Sequence, residues 1–229
     1  MARKWQWAIV MAMLLGIGPN VRAQSSATST ETGSASDTAS TDHPKIKGHE
    51  YVDLGLSVKW AATNVGADIP TEDGYYFAWG EVDEKPEFWT GNCRTYDQLT
   101  TDINSDPDYD AARAAWGKYW RMPTQEEIDE LCRKCKWEWT ADDGRNGYRV
   151  TGPNGRSIFL PAAGWRSGGN KEYAGTHGVY WSSVPSRTDN QKSYGLFFSV
   201  LHHNAGWINR CNGRSVRPVT SGKVSENYK

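Results

Sequence analysis

The sequence predicts an α+β domain built of short strands, about two helices and long loops. Three observations predict it. Only two stretches carry helix signals. Many short apolar or aromatic runs follow one another, separated by Gly and Asn turns. Finally, 12 Trp and 11 Tyr stand against 5 Phe. Trp and Tyr join a polar handle to an apolar body, so this bias suits a loop-rich fold with a binding surface, or a small core filled by large side chains.

The elements follow in chain order. Arg3 and Lys4 precede the apolar run AIVMAMLLGIG, too short to span a bilayer comfortably, and Val21 and Ala23 offer a small-residue cleavage site before Gln24. Residues 1–23 read as a signal peptide, so the mature protein is expected to be exported to the periplasm, the cell surface or the medium. Nothing later is apolar enough to predict a transmembrane segment. Residues 24–47 are dominated by Ser, Thr and Ala and predict a flexible linker, because they cannot bury enough surface to offset their ordering entropy. Residues 48–220 read as one globular domain, roughly 170 residues that can bury about two-thirds of their unfolded surface. Residues 221–229 are left as a C-terminal tail.

Within the domain, YVDLGLSVKWA alternates Val52, Leu54 and Leu56 on one face and leads from one strand into a second. GYYFAWG reads as a short aromatic strand. PDYDAARAAWG has helix formers after Pro107. MPTQEEIDELCRKC is the strongest signal: Thr124 caps, Glu127 three residues on completes a capping box, and Ile128, Leu131, Cys132 and Cys135 share a helical face. GYRVTG, SIFLP, GVYWSS, SYGLFFSVL, GWINR and RSVRPV then read as short strands.

Composition and motifs narrow the function. A net charge of −1 without a basic block argues against nucleic acid as the partner. The chain has no phosphate-cradling glycine loop, no GxSxG elbow and no His-Glu zinc helix. The pair in CRKC closes its helix, where the dipole disfavours a thiolate, and no second close Cys or His pair completes a zinc site. Four cysteines in an exported chain favour disulfides, with three pairings open among Cys93, Cys132, Cys135 and Cys211; Cys132 and Cys135 also suit core positions. Asp102, Asn104, Asp106, Asp108 and Asp110 alternate as calcium ligands would. Pro107 and Arg113 break the EF-hand pattern, and a solvated acidic loop is the expected role. No catalytic and no metal residue is assigned. His177, between glycines, reads as a turn or surface residue.

The segments YVDLGLSVKWAATNVGA, GYYFAWGE, DAARAAWGKYWRMPTQEEIDEL, CKWEWT, GYRVTGPNGRSIFLPAAGWR, YWSS and GRSVRPV resemble, in order, the Fibrobacter succinogenes major paralogous domain family. DAARAAWGKYWRMPTQEEIDEL is also similar to a segment of formylglycine-generating enzymes. The resemblance implies a C-type lectin-like fold in which YVDLGL and SVRPV close the domain on each other. It does not carry activity: those enzymes use a cysteine pair near the C-terminus, whereas Cys211 has no near neighbour. In related lectin-like proteins diversified by retroelements, the ligand-contacting positions lie between a Trp-bearing strand and the last strand, which here means Tyr180 to Val219.

That implication directs attention to LFFSVLHHNAGWINRC. On a strand, His202 and His203 point to opposite faces and cannot share one metal. HNAG is expected to turn, with Gly206 free to take positive φ, and WINRC to return as a hairpin. Trp207 is expected to form an exposed patch with His202 or His203, Asn204, Asn209, Arg210 and Asn212, suited to a glycan, peptide or protein ligand. Arg217 and Trp120 are expected to be framework. The chain thus reads as a monomeric, non-enzymatic binding or adhesive domain. The alternatives are an oxidative formylglycine-type enzyme or a structural accessory domain.

Overall fold

A computed structural model of the protein describes residues 44–98 and 100–223. The stretches expected as signal peptide and, up to residue 43, as linker lie outside the described residues, as does the end of the expected tail. The described chain is mostly β-sheet with two α-helices, an α+β arrangement.

The first sheet joins the two ends of the domain. Strands β1 (Lys45–Ile46), β2 (His49–Val52), β3 (Lys59–Ala61) and β12 (Val219–Thr220) lie in the order β1-β2-β3-β12, with Val219 opposite Trp60. The ordered fold thus starts before Gly48, at least as early as β1. Ile46 is buried, and Lys47 and Gly48 both take positive φ, the two-residue turn that suits the twist of a hairpin. The expected strand GYYFAWG, residues 74–80, is reduced to a single bridge, Phe77 to Arg214.

Helices α1 (Ala111–Trp116) and α2 (Gln125–Lys134) follow their capping residues. Asp110 accepts from the Arg113 amide, and Thr124 and Glu127 form the reciprocal box, with N···O distances of 3.3 and 2.9 Å. Glu127 also accepts from Nη1 and Nη2 of Arg121.

Strands β4 (Lys136–Asp142), β5 (Arg145–Thr151) and β6 (Ser157–Pro161) form an antiparallel meander, turned first by Asp143–Gly144 with φ of 44° and 72°. Strands β7 (Trp165–Ser167) and β8 (Asn170–Glu172) make a small hairpin. Strands β9 (His177–Pro185), β10 (Lys192–Ser199) and β11 (His202–Asn209) form the C-terminal sheet, in the order β11-β10-β9.

Five of the ten described tryptophans are buried. Trp60, Trp79, Trp120 and Trp181 are wholly buried, and three of their indole N–H groups donate to the carbonyls of Ser182, Ile46 and Phe77. One core cluster packs α2 and the meander against Tyr180, Tyr194, Leu196 and Phe198 of the C-terminal sheet. A second gathers Phe77, Trp79, Trp116, Trp120 and Trp181. Arg217 belongs to this framework, as expected. Its guanidinium is buried and donates to the carbonyls of Ala61, Ala62 and Phe159 and to Asn64 Oδ1, at 2.8–3.1 Å.

Candidate functional site

The β10–β11 hairpin pairs residue by residue from Ser199–His202 to Lys192–Asn209, so its turn is Val200–Leu201 and not Asn204–Gly206. Gly206 stands mid-strand opposite Gly195. Continuing the ladder keeps backbone hydrogen bonds that a turn at HNAG would forfeit. Gly195 itself has to be glycine, because a Cβ there would lie 2.6 Å from Ile208 Cδ1 and 2.7 Å from the Tyr180 carbonyl oxygen.

Because β11 is a strand, its side chains alternate and the expected patch is divided between two faces. His203 and Trp207 lie on the side of α2. His203 stacks on Trp137, with ring centroids 4.3 Å apart and planes 8° apart, and burial lowers its pKa. Trp207 meets Tyr194 edge-on at 5.0 Å and keeps 44% of its surface exposed. His202 lies on the opposite side, 3.4 Å from Ser199 Oγ, on the face of its cross-strand neighbours His177 and Ser199. Asn204 is exposed. Asn209 is engaged elsewhere, its Oδ1 accepting from both the amide and the thiol of Cys211.

Arg210 does not join any exposed patch. Its side chain is fully buried over the Trp79 ring and donates to the carbonyls of Thr95, Gln98 and Lys192 and to Ser193 Oγ. It tethers the 95–98 loop to the end of β11, a structural task. Carbonyls left by an irregular loop need a donor, and an arginine reaches several at once.

On the face of His202 lies a cavity of about 400 Å³. Trp165 of β7, His177 and Val179 of β9, Phe197 of β10 and Ile208 of β11 line it, together with Phe198, Trp207, Asn212 and Arg214. Trp165 is held by stacking on Tyr173 at 4.6 Å, and His177 meets both rings edge-on. Arg214 is positioned by a two-way backbone bridge to Phe77, and its guanidinium rests 4.9 Å from the centre of the Trp181 ring. Burial pulls the Arg214 pKa down to about 9, which leaves it a cation at neutral pH. Trp207 also lines a second cavity of about 540 Å³, whose walls are largely polar residues of the 100–102 and 184–188 loops and the start of α2. The first cavity combines aromatic walls, two histidines and a buried cation, the composition of a binding site with few converging polar groups.

Of the expected site residues, the cavity gathers His202, Trp207 and Asn212. It leaves out His203, Asn204, Asn209 and Arg210. It adds Trp165, His177 and Arg214, which sequence reasoning did not assign. His177, expected as a turn or surface residue, opens β9 and lines the cavity.

The remaining candidates have other employment. Asp102 and Asp106 each accept from an amide two residues on, and Asp110 accepts from the amides of Ser105, Arg113 and Met122. The acidic loop's carboxylates therefore serve its own turns and the start of α1. All four cysteines are free thiols. Burial pushes Cys132 up to about 12 and Cys135 up to about 11, the reverse of an activated redox pair. Cys93 and Cys211 share a third core cluster with Tyr76, Ala78 and Phe88, and burial raises both thiols as well.

In comparisons with protein-family models, curated proteins and solved structures, nothing matches this chain. No helix among the described residues is long and apolar enough to cross a membrane.

Proposed function

We propose that the chain is an exported, non-enzymatic ligand-binding or adhesive domain with a C-type lectin-like fold, of the major paralogous type, that engages its ligand through the open face of the C-terminal sheet. The observation that carries this reading is the cavity beside β11, whose aromatic and polar walls converge while His202 stands exposed on the same face. The meeting of β12 with β3, which brings the two ends of the domain together, supports the lectin-like assignment. The buried, protonated state of Cys93 and Cys211 favours binding over oxidase chemistry, which needs a thiolate.

The test is capture of the exported chain on glycan and peptide arrays. His202→Ala should weaken capture by more than about 1 kcal/mol, the range of interface residues that matter, at unchanged melting temperature. Trp120→Ala and Arg217→Ala should instead cost about 3 kcal/mol or more of stability, through a cavity and through orphaned carbonyls. Capture that survives His202→Ala and Phe197→Ala together would overturn the reading. So would turnover of a cysteine-containing peptide to an aldehyde with oxygen and copper, if Cys211→Ala abolished it.

A further inference from the structure

Three arginines, Arg210, Arg214 and Arg217, lie within one short segment and all are buried. Arg210 and Arg217 each donate to several acceptors. Arg214 is different. It is 93% buried, since only 7% of its surface is exposed, and among the described residues no carboxylate, carbonyl or hydroxyl accepts from its side chain. Its Nε is buried and unpartnered, and its one side-chain contact of note is the face of Trp181. A guanidinium carries five N–H donors, and leaving a buried one unmet costs free energy. The remaining direction open to it is the cavity, which it lines.

The cavity's composition suits an anion. Its lining includes no Asp or Glu, and His177, His202 and Asn212 can add donors beside the guanidinium. Its other walls are flat and apolar, Trp165 and Phe197 among them. A guanidinium fork matches a carboxylate in two parallel hydrogen bonds, and aromatic faces match a ring. A space of about 400 Å³ accepts a single ring-sized unit rather than a long chain.

Resting on the binding reading above, we infer that Arg214 selects the ligand: the site takes the carboxylate of a ring-bearing acid, with the carboxylate on Arg214 and the ring against Trp165. The acid is a sugar uronate or an aromatic acid at the end of a peptide, two sources of the same chemistry.

Ligand-observed NMR on the full exported chain tests this with four probes at millimolar concentration. They are glucuronate, its neutral counterpart glucose, N-acetylphenylalanine and N-acetylphenylalaninamide. An acid should bind and its neutral counterpart should not, and whichever acid binds identifies the source. Arg214→Met should weaken that acid by at least about tenfold, while Arg214→Lys, which keeps the charge but loses the fork, should give an intermediate loss. Melting temperatures of both variants report folding. If Arg214→Met unfolds, the acid-to-neutral ratio in the native chain and the Arg214→Lys loss still decide the matter. Neutral probes that bind as well as acids, unaffected at Arg214, would overturn the inference and leave the binding site standing. Silence from all four would also overturn it, and the array comparison with His202→Ala then judges the broader reading by itself.

Discussion

The two faces of the C-terminal sheet share three strands but are finished differently. On the α2 side, Tyr180, Tyr194, Leu196 and Phe198 are buried against the helix and the meander, and His203 is roofed by Trp137. On the other side, His177, Val179, Phe197, His202 and Ile208 border a cavity, with a buried cation at its wall. The alternation of side chains along a strand lets one segment be core and recognition surface at once. A closed face resists substitution because its neighbours are packed and cannot yield; an open face tolerates it and is free to bind.

The sharpest way to break this contrast is Gly178→Ala on the closed face. Its Cβ would lie 2.1 Å from the Phe198 ring, so the ring or the strand must move. A loss of about 3 kcal/mol in urea denaturation is expected, the upper range for overpacking. A neutral result would mean that the closed face is loosely packed. A smaller effect, about 1 kcal/mol, is expected for His203→Ala, which removes the stack on Trp137.

The same histidine supplies a pH test. Burial lowers the His203 pKa below its ordinary 6.5, so the unfolded chain takes up a proton that the folded chain resists. Stability is therefore lost as pH falls through the ordinary value, and levels off once the folded pKa is passed. The urea midpoint should drop between pH about 7.5 and about 5.5, and His203→Phe, which keeps a ring on Trp137, should shrink that drop. An unchanged slope would place the titrating groups elsewhere, His49 on Trp116 being the next candidate. The smallest effect belongs to the open face: His202→Ala should change stability by no more than about 0.5 kcal/mol. A larger loss would make His202 structural and remove it from the site.

Much of the fold could be read in advance where the signal is local. The Thr124–Glu127 box marks the start of α2 because both partners sit within one turn of chain. The β4–β5 hairpin, whose first strand is not among those expected from the sequence, also has a local signal: Trp137 and Trp139 alternate with Lys136 and Glu138, and Asp143–Gly144 supplies the turn. The hairpin tip misled for the opposite reason. HNAG carries turn-forming residues and Val200–Leu201 none, yet the register with β10 places the turn at the latter pair, with Leu201 86% exposed.

What the sequence by itself determined is the set of elements written in short-range chemistry: the caps of α1 and α2, most of the strands, the alternation that sends His202 and His203 to opposite faces, and Arg217 as framework. What only the tertiary structure decided is which of three chemically identical arginines is free to meet a ligand. Arg210 is consumed by the carbonyls of the 95–98 loop, and Arg217 by those of residues 61, 62 and 159, all far away in the chain. Arg214 lines the cavity with Trp165 and His177, and among the described residues nothing accepts from its buried Nε. Side-chain type and spacing encode what a residue can donate, but the acceptors that satisfy it are brought together only when distant segments pack.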